Sequence, residues 1–101
     1  MMYFIYILYS PSADKYYVGH TDNPERRFIS HNTSNRITYT SKYRPWKMVA
    51  LFQCSEERGK ALMIERFIKK QKSRSLIMSL VTNEKQDGML AHLVRVPHER
   101  D

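Results

Sequence analysis

The sequence predicts an α/β (α+β) fold, a small three-stranded and mostly antiparallel sheet flanked by helices, with the element order ββαβαα. Three short stretches rich in aromatic and β-branched residues have the length and composition of strands. Between and after them lie segments with helix-capping residues or apolar residues at helical spacing. A length of 101 residues with 42% hydrophobic residues suits one domain around one modest core. We expect that domain over residues 1–81, and an extension of uncertain structure over residues 82–101.

The first two strands are predicted as a hairpin. Residues 3–9 are apolar throughout, which is typical of a strand buried on both faces. Residues 10–15 form a turn signal, and residues 16–19 form the second strand. The apolar start lacks a basic leader and a small-residue cleavage site, so we interpret it as a strand and not as a signal peptide.

The segment that follows the hairpin predicts the first helix. Asp22 or Asn23 can cap it, and Pro24 suits its first turn. Glu25 stands three residues after Asp22, as in a capping box. The helix is expected to end near His31.

The second half of the domain follows a polar, basic connection over residues 33–45. A third strand is predicted over residues 46–54, and Ser55 is the expected cap of a second helix. Ser73 or Ser75 could cap a short third helix that ends near Leu80. The apolar face predicted for the second helix consists of Ala61, Ile64, Phe67 and Ile68.

Charge and composition narrow the classes of function. Seventeen basic residues against ten acidic ones give a net charge of +7 and favour an anionic partner, nucleic acid first. The single cysteine, Cys54, excludes an intrachain disulfide and a cysteine-based zinc cluster, and it is expected to be a buried small hydrophobe. The four histidines have no metal-ligand spacing, and no apolar run has the length of a membrane span. The expected location is the cytoplasm, with no membrane partner.

Two short motifs carry a specific resemblance. Phe4-Ile5-Tyr6 is followed by Tyr17-Val18-Gly19, and Tyr17 stands eleven residues after Tyr6. This pair resembles the motifs of the GIY-YIG nuclease family, although Phe4 stands where the family has glycine. The segments "YYVGHTDNPERRFISHN" and "YTSKYRPWKMV" are also similar to small stand-alone members and to the nuclease domains of excision-repair and structure-specific endonucleases. The resemblance covers roughly residues 2 to 80.

The resemblance implies a set of catalytic residues. Tyr6 and Tyr17 match the tyrosines of the two motifs, and Arg27 matches the arginine of the first helix. His31 stands where members carry tyrosine or histidine. Glu65 matches the glutamate that holds the one divalent metal, so Mg²⁺ or Mn²⁺ is the expected cofactor.

Three further positions complete the comparison. Gly19 is expected to allow close backbone approach at the turn. His20 stands near a site that carries lysine in the DNA-repair members, and it is a candidate nucleic-acid contact. Ile77 stands where some members carry an asparagine, so one supporting polar contact is absent.

These residue types suit phosphodiester hydrolysis. A carboxylate such as Glu65 can hold a hard cation whose other positions are filled by water, and Arg27 offers a planar fork for phosphate oxygens. Tyrosine has an ordinary pKa near 10, so a tyrosine base needs a nearby cation. We expect Tyr6 to be the base, as the family favours, while Tyr17 and His31 remain alternatives.

Each of these residues could instead have a purely structural role. The strand tyrosines could simply fill a core, and this is the preferred interpretation for Tyr3, Tyr9 and Tyr16. His31 could interact with the helix dipole, and Glu65 could pair with a lysine four residues on. Trp46 is expected to anchor the core.

A basic rim is predicted to bind the nucleic-acid backbone without reading its sequence. The alternative is an ordinary solvated charged face. The predicted rim residues are Arg26, Lys42, Arg44, Lys69, Lys70, Lys72 and Arg74.

The sequence therefore predicts a metal-dependent endonuclease that hydrolyses DNA, selects it by structure and acts in repair or recombination. A protein partner could supply specificity, RNA remains possible as a substrate, and the oligomeric state is open. The alternatives are a non-catalytic nucleic-acid-binding protein with the nuclease fold and a protein-interaction module.

Overall fold

The computed structural model of the protein describes residues 1–97; residues 98–101, which include His98, lie outside the described part. Within residues 1–97, four antiparallel strands form one sheet, in the order β2-β1-β3-β4. The strands are β1 (Tyr3–Ser10), β2 (Lys15–Thr21), β3 (Lys47–Ser55) and β4 (Val94–Arg95). The helices are α1 (Pro24–Thr33), α2 (Arg58–Lys70) and α3 (Arg74–Val81), with short 3₁₀ turns at Thr40–Tyr43 and Gly88–Leu90.

The prediction of a mixed α/β fold with an antiparallel sheet is confirmed, but the prediction of three strands is wrong. The fourth strand has only two residues, Val94 and Arg95, which pair with Gln53 and Phe52 of β3. Two residues are too few to display the alternation by which strands are recognised in a sequence. Arg95 also donates hydrogen bonds to the carbonyl of Leu80 at the end of α3.

The central strand β1 is buried on both faces, as its continuous apolar run predicts. Ile5 and Ile7 face a core shared with α2 and α3, and both are fully buried. Tyr6 and Leu8 point to the opposite face, into a second cluster that contains Trp46. Because successive side chains of a strand alternate between faces, β1 serves two packing layers at once.

The first helix begins where its capping residues indicate. Asn23 is the N-cap, and its side chain accepts a hydrogen bond of 3.1 Å from the backbone N–H of Arg26, while Pro24 is the first helical residue. Of the two candidate caps, Asn23 is therefore the one used. The helix ends at Thr33, two residues beyond the expected His31.

The predicted cap is wrong for the second helix and correct for the third. The prediction that Ser55 caps α2 is wrong, because Ser55 ends β3 and the N-cap is Glu57. The Ser55 hydroxyl instead accepts a 3.0 Å hydrogen bond from the Glu57 N–H in the turn between the two elements. Ser73 caps α3 by accepting from the N–H of Leu76, as predicted.

Two core assignments are confirmed. Trp46 is buried, and its indole N–H donates to the Thr40 carbonyl at 2.7 Å. Cys54 is buried in the core shared with α2, and burial raises the pKa of its thiol. Among residues 1–97, no helix has the length and hydrophobicity to cross a membrane.

Candidate active site

The site forms around β2, which lies at one edge of the sheet. Tyr17 and His20 are three residues apart on this strand, so their side chains point to opposite faces. Arg27 and His31 reach one face from α1, and Glu65 reaches the other from α2. The two helices thus bring their side chains together at one edge of the sheet.

An open cleft lies between these elements. It has a volume of about 440 Å³. The predicted catalytic residues that line it are Tyr6, Tyr17, Arg27 and Glu65. Three residues predicted to have other roles, Gly19, His20 and Arg26, line it as well. Four of the five residues predicted to be catalytic therefore share one cavity.

The fifth, His31, lies behind the cleft and is connected to it through Tyr6. The Tyr6 hydroxyl and His31 Nε2 are 2.7 Å apart, and His31 Nδ1 is 2.9 Å from the Thr40 hydroxyl. The Thr40 hydroxyl lies 3.2 Å from that of Thr38. His31 is 5% exposed and Tyr6 only 1%. Tyr6, His31 and Thr40 thus form a buried hydrogen-bonded chain that begins at the cleft.

Burial moves the pKa values of Tyr6 and His31 in opposite directions. Burial raises the pKa of Tyr6 well above its ordinary value, and the hydrogen-bonding Arg27 guanidinium offsets only part of that rise. Burial, together with the charges of Arg27 and Arg44, lowers the pKa of His31 to about 4. At neutral pH the pair therefore consists of a neutral phenol and a neutral imidazole.

Arg27 interacts with both active-site tyrosines. The hydrogen bond to the Tyr6 hydroxyl is the main cause that raises the pKa of Arg27. The interactions of Arg27 with Tyr17 raise this pKa further. The guanidinium stays charged in proteins at any physiological pH. A fixed positive charge consequently stands beside the hydroxyl at the mouth of the buried chain.

Glu65 is held by two basic side chains. Its Oε1 accepts a 2.6 Å hydrogen bond from His20 Nδ1, and its Oε2 accepts a 2.9 Å bond from Lys69 Nζ. Burial alone would raise the pKa of Glu65, but these two hydrogen bonds lower it below its ordinary value. The carboxylate is thus ionised at neutral pH, and the i,i+4 pair with a lysine is present as well as the cleft position.

Gly19 makes room for Tyr6. The two residues face each other across β1 and β2, and a Cβ atom on Gly19 would lie 2.3 Å from the Tyr6 hydroxyl oxygen. No side chain tolerates that approach. The glycine is needed to make room for the Tyr6 side chain and not for a backbone conformation that other residues avoid.

The predicted rim residues take different positions. Arg26 lines the cleft, whereas Arg44 donates to the carbonyls of His31 and Ser34 at the end of α1. Arg74 forms a 2.6 Å ion pair with Asp14. The exposed lysines of the rim are Lys42, Lys69, Lys70 and Lys72. The structure therefore ties Arg44, Arg74 and Lys69 to protein groups, and it leaves Lys42, Lys70 and Lys72 exposed at the surface.

Two residues of the site are not among those that the sequence analysis singles out. Arg58, the first residue of α2, lines the cleft together with Arg26 and Arg27. It stands seven residues before Glu65 on the same helix, and this spacing is the signal that could have found it. Thr40 belongs to the segment "YTSKYRPWKMV", but only the tertiary structure places its hydroxyl beside His31 Nδ1.

The comparison with known protein families can now be set beside this geometry. The GIY-YIG catalytic domain matches residues 2–78. The chain belongs to the GIY-YIG family. The resemblance of the two motifs is confirmed, and so is the prediction of a nuclease-type enzyme at the level of the family.

Two curated relatives are similar to this GIY-YIG chain, both named structure-specific endonuclease subunit SLX1. The protein from Debaryomyces hansenii is 31% identical over 98 residues, which cover 89% of this chain and 28% of the relative. The protein from Meyerozyma guilliermondii is 38% identical over 77 residues, or 70% of this chain and 26% of the relative. The chain thus spans little more than a quarter of the length of these relatives.

The donor set of the cleft fits a hard divalent cation. Residues 1–97 contain no group of three or more histidine, cysteine, aspartate or glutamate side chains that could hold a metal. Magnesium commonly binds through one or two carboxylates and keeps several waters. A carboxylate has about four lone-pair sites, so Glu65 has acceptor capacity beyond its bonds to His20 and Lys69.

Proposed function

We propose that this GIY-YIG domain is a metal-dependent endonuclease that hydrolyses phosphodiester bonds in DNA. The observation that carries the proposal is the buried Tyr6–His31 hydrogen bond, which reaches the cleft beside Arg27 and the ionised Glu65. A proton acceptor, a phosphate-binding cation and a metal-binding carboxylate are the three components that hydrolysis of a phosphodiester needs.

Arg27 is proposed to bind the scissile phosphate. Its planar guanidinium can hold two phosphate oxygens at once, and its charge opposes the negative charge that grows in the transition state. Arg26 and Arg58 line the same cleft and extend this positive surface. These three side chains account for the binding and orientation of the substrate.

Tyr6 is proposed to take the proton of the attacking water while its own proton passes to His31 Nε2. In one step the water oxygen forms its bond to phosphorus, its proton moves to the Tyr6 oxygen, and the bond to the leaving oxygen breaks. The imidazole is neutral at neutral pH, so Nε2 can accept, but its low pKa makes it a weak base, and the transfer therefore has to be coupled to the attack on phosphorus. This route avoids a free tyrosinate, which the burial of Tyr6 opposes.

Thr40 determines which nitrogen of His31 accepts. A neutral imidazole has one donating and one accepting nitrogen. If Nδ1–H donates to the Thr40 hydroxyl, Nε2 is free to accept from Tyr6. Thr40 is therefore a proposed positioning residue for proton transfer.

Glu65 is proposed to hold one Mg²⁺ or Mn²⁺ ion. When bound, the metal supplies charge stabilisation of the phosphate and of the leaving oxygen. His20 and Lys69 orient the carboxylate and maintain its ionised form.

Selection of DNA by its structure, a role in repair or recombination, and a protein partner remain parts of the proposal. They are supported by the names of the two relatives, which describe structure-specific endonuclease subunits. A domain of this size offers a small footprint on DNA, which favours recognition of shape over a long sequence. The cytoplasmic location also stays a prediction.

The test is cleavage of labelled duplex, flap, junction and single-stranded DNA, with Mg²⁺ or Mn²⁺ and with EDTA. Glu65→Gln keeps the size of the side chain and removes its charge. Glu56→Gln is the matched control, because Glu56 is an exposed carboxylate just before α2. We expect metal-dependent cleavage by the wild type and by Glu56→Gln, and none by Glu65→Gln.

Binding of the same substrates in EDTA separates the proposal from a non-catalytic role. Glu65→Gln should bind DNA at least as well as the wild type, because it removes a negative charge from the cleft. Salt-sensitive binding without cleavage by any of the proteins would instead identify a nucleic-acid-binding protein that has kept the nuclease fold.

A further inference from the structure

A second groove lies directly beside the cleft and combines positive charge with aromatic surface. Its volume is about 570 Å³. We name it the basic-aromatic groove, and its defining residues are Lys15, Tyr17, Tyr39, Lys69, Lys72 and Arg74. Of these six, only Tyr17 belongs to the two short motifs that name the family.

The groove is continuous with the catalytic cleft. Tyr17 lines both cavities. Lys69 lies between them, because its Nζ bonds Glu65 in the cleft and sits 4.9 Å from the centre of the Tyr17 ring. A polymer bound in the cleft can therefore extend over Tyr17 and Lys69 into the groove without leaving the surface.

The charge of the groove suits phosphate. Four basic side chains line it against a single acidic one, Asp14, which is paired with Arg74. Lys72 follows the end of α2 and has an exposed side chain. Lysines arranged along a groove attract a phosphate backbone irrespective of sequence.

Tyr39 gives the groove an exposed aromatic surface. Its residue is 49% exposed, and its ring lies nearly parallel to that of Tyr17, with 6.3 Å between the centroids and 28° between the planes. Its other aromatic neighbour, Tyr43, meets it at an angle of 62°. The Tyr39 ring thus extends the aromatic surface of the active-site tyrosine toward solvent.

Basic and aromatic surface together distinguish between forms of nucleic acid. Lysines bind the backbone of duplex and single strand alike. An aromatic ring stacks only on a base whose face is free, and base faces are free in unpaired strands. The tyrosine therefore contributes to binding only if the groove receives an unpaired segment.

We propose that the basic-aromatic groove binds an unpaired strand of the substrate, with a base stacked on Tyr39 and phosphates along Lys69 and Lys72. The inference rests on the proposed function, because it assigns to the nuclease cleft a substrate with a single-stranded segment next to the bond that is cut. It adds a base-stacking contact to the backbone contacts of the rim.

The experiment measures binding of a labelled single-stranded oligonucleotide and of a blunt duplex of the same length by fluorescence anisotropy in EDTA. Tyr39→Leu keeps an apolar side chain and removes the ring, whereas Tyr39→Phe keeps the ring. We expect Tyr39→Leu to weaken single-strand binding by about tenfold, within the range for loss of one stacked base. Its duplex binding and the single-strand binding of Tyr39→Phe should stay within about twofold of the wild type.

Charge variants test the backbone part of the proposal. Lys72→Ala should weaken binding of both forms and reduce the salt dependence of binding by about one phosphate contact. Lys47→Ala is the control, because Lys47 lines a different cavity with Phe4 and Phe28. It should bind both forms as the wild type does.

The result that overturns the inference is a Tyr39→Leu protein with unchanged single-strand affinity, or with equal losses for single strand and duplex. Because binding is measured without metal, either result leaves cleavage by the wild type intact as a test of the proposed function. Conversely, loss of cleavage in Glu65→Gln says nothing about Tyr39, so the two proposals fail separately.

Discussion

At the scale of single residues, the proposed mechanism depends on the buried pair of Tyr6 and His31. A tyrosine base is usually explained by a cation that lowers its pKa, and Arg27 does act in that direction. Burial outweighs it, because the phenolate is far more costly than the phenol in an apolar surrounding. In the proposed route neither partner is charged before the reaction starts, and the cost of the buried imidazolium that forms is met only as the water attacks phosphorus.

Replacement of Tyr6 by phenylalanine tests the proton route. Tyr6→Phe keeps the ring in the core and removes the hydroxyl that faces His31. We expect cleavage in single-turnover assays with bound metal to fall by about 10²- to 10⁴-fold, the usual contribution of general base catalysis. Near-normal cleavage by this variant would remove Tyr6 from the role of base.

Thr40 provides a second test at residue scale. Thr40→Val preserves shape but removes the partner of His31 Nδ1, so it should lower cleavage by about tenfold and displace the pH profile of cleavage. Thr40→Ser restores the hydroxyl and should retain the wild-type profile. A purely structural role would lower the stability of Thr40→Val by about 1–3 kcal/mol and leave its pH profile unchanged.

The pH dependence of stability should reveal the buried His31. Its pKa is about 4 in the folded protein, below the ordinary 6.5. The unfolded chain therefore binds a proton first as pH falls, and stability is full above pH 6.5 and lost progressively down to about pH 4. The total loss from this residue is about 3 kcal/mol.

Chemical denaturation at pH values between 7 and 5 measures that loss. The window lies above the ordinary carboxylate range, and a His31→Gln variant isolates the contribution of His31, because all other titratable groups are the same in both proteins. His31→Gln should reduce the slope of stability against pH in this range. An equal slope in wild type and variant would contradict the low pKa of His31.

At the scale of elements, the site depends on the edge position of β2. An edge strand is open on one side, so helices from both faces can reach around it, and here α1 and α2 do so. The same strand supplies Tyr17, Gly19 and His20 by simple alternation. A central strand has a neighbouring strand on each side, so side chains on its two faces could not line the same cleft.

Two glycine substitutions test this arrangement. Gly19→Ala places a methyl group against the buried Tyr6 hydroxyl, so we expect a loss of about 1–3 kcal/mol in the free energy of unfolding and at least a tenfold loss of cleavage. Gly59→Ala is the control, because a Cβ there meets nothing within 4 Å on α2. It should leave cleavage unchanged and raise stability by up to about 1 kcal/mol.

The measurements are urea denaturation and single-turnover cleavage for both variants. Wild-type cleavage by a folded Gly19→Ala protein would mean that the position of the Tyr6 hydroxyl is not critical.

At the scale of the whole molecule, the folded unit extends beyond the part that matches the family. The match ends at residue 78, yet Leu80 and Leu90 are buried in the core shared with α2. β4 then adds its two residues to the sheet, and Arg95 bonds the end of α3. The segment after α3 therefore closes the core at the edge of the sheet opposite β2, the strand that lines the cleft.

Truncation of Leu90 tests the contribution of this segment. Leu90 is 4% exposed, so Leu90→Ala should cost about 2–4 kcal/mol in the free energy of unfolding through lost burial and a cavity. Met89→Ala changes an exposed neighbour and should cost less than about 1 kcal/mol. Urea denaturation distinguishes the two, and equal small losses would show that residues 82–97 are not part of the core.

The sequence by itself predicts most of the elements and most of the cleft. Hydrophobic run length identifies β1, capping residues locate α1 and α3, and the resemblance to the family implies Tyr6, Tyr17, Arg27 and Glu65, all of which line the cleft. Such signals are local, because a strand, a cap or a motif is written in consecutive residues. The family assignment follows from the same local patterns.

Only the tertiary structure decides what depends on contacts between distant parts of the chain. The two-residue β4 exists because β3 offers it a partner, and Thr40 matters because its loop packs behind His31. The pKa of Tyr6 rises because core burial outweighs the interaction with Arg27, an outcome that residue type cannot reveal. The groove at Tyr39 likewise arises where a loop, an edge strand and two helices meet, and such a surface has no counterpart in any single stretch of the sequence.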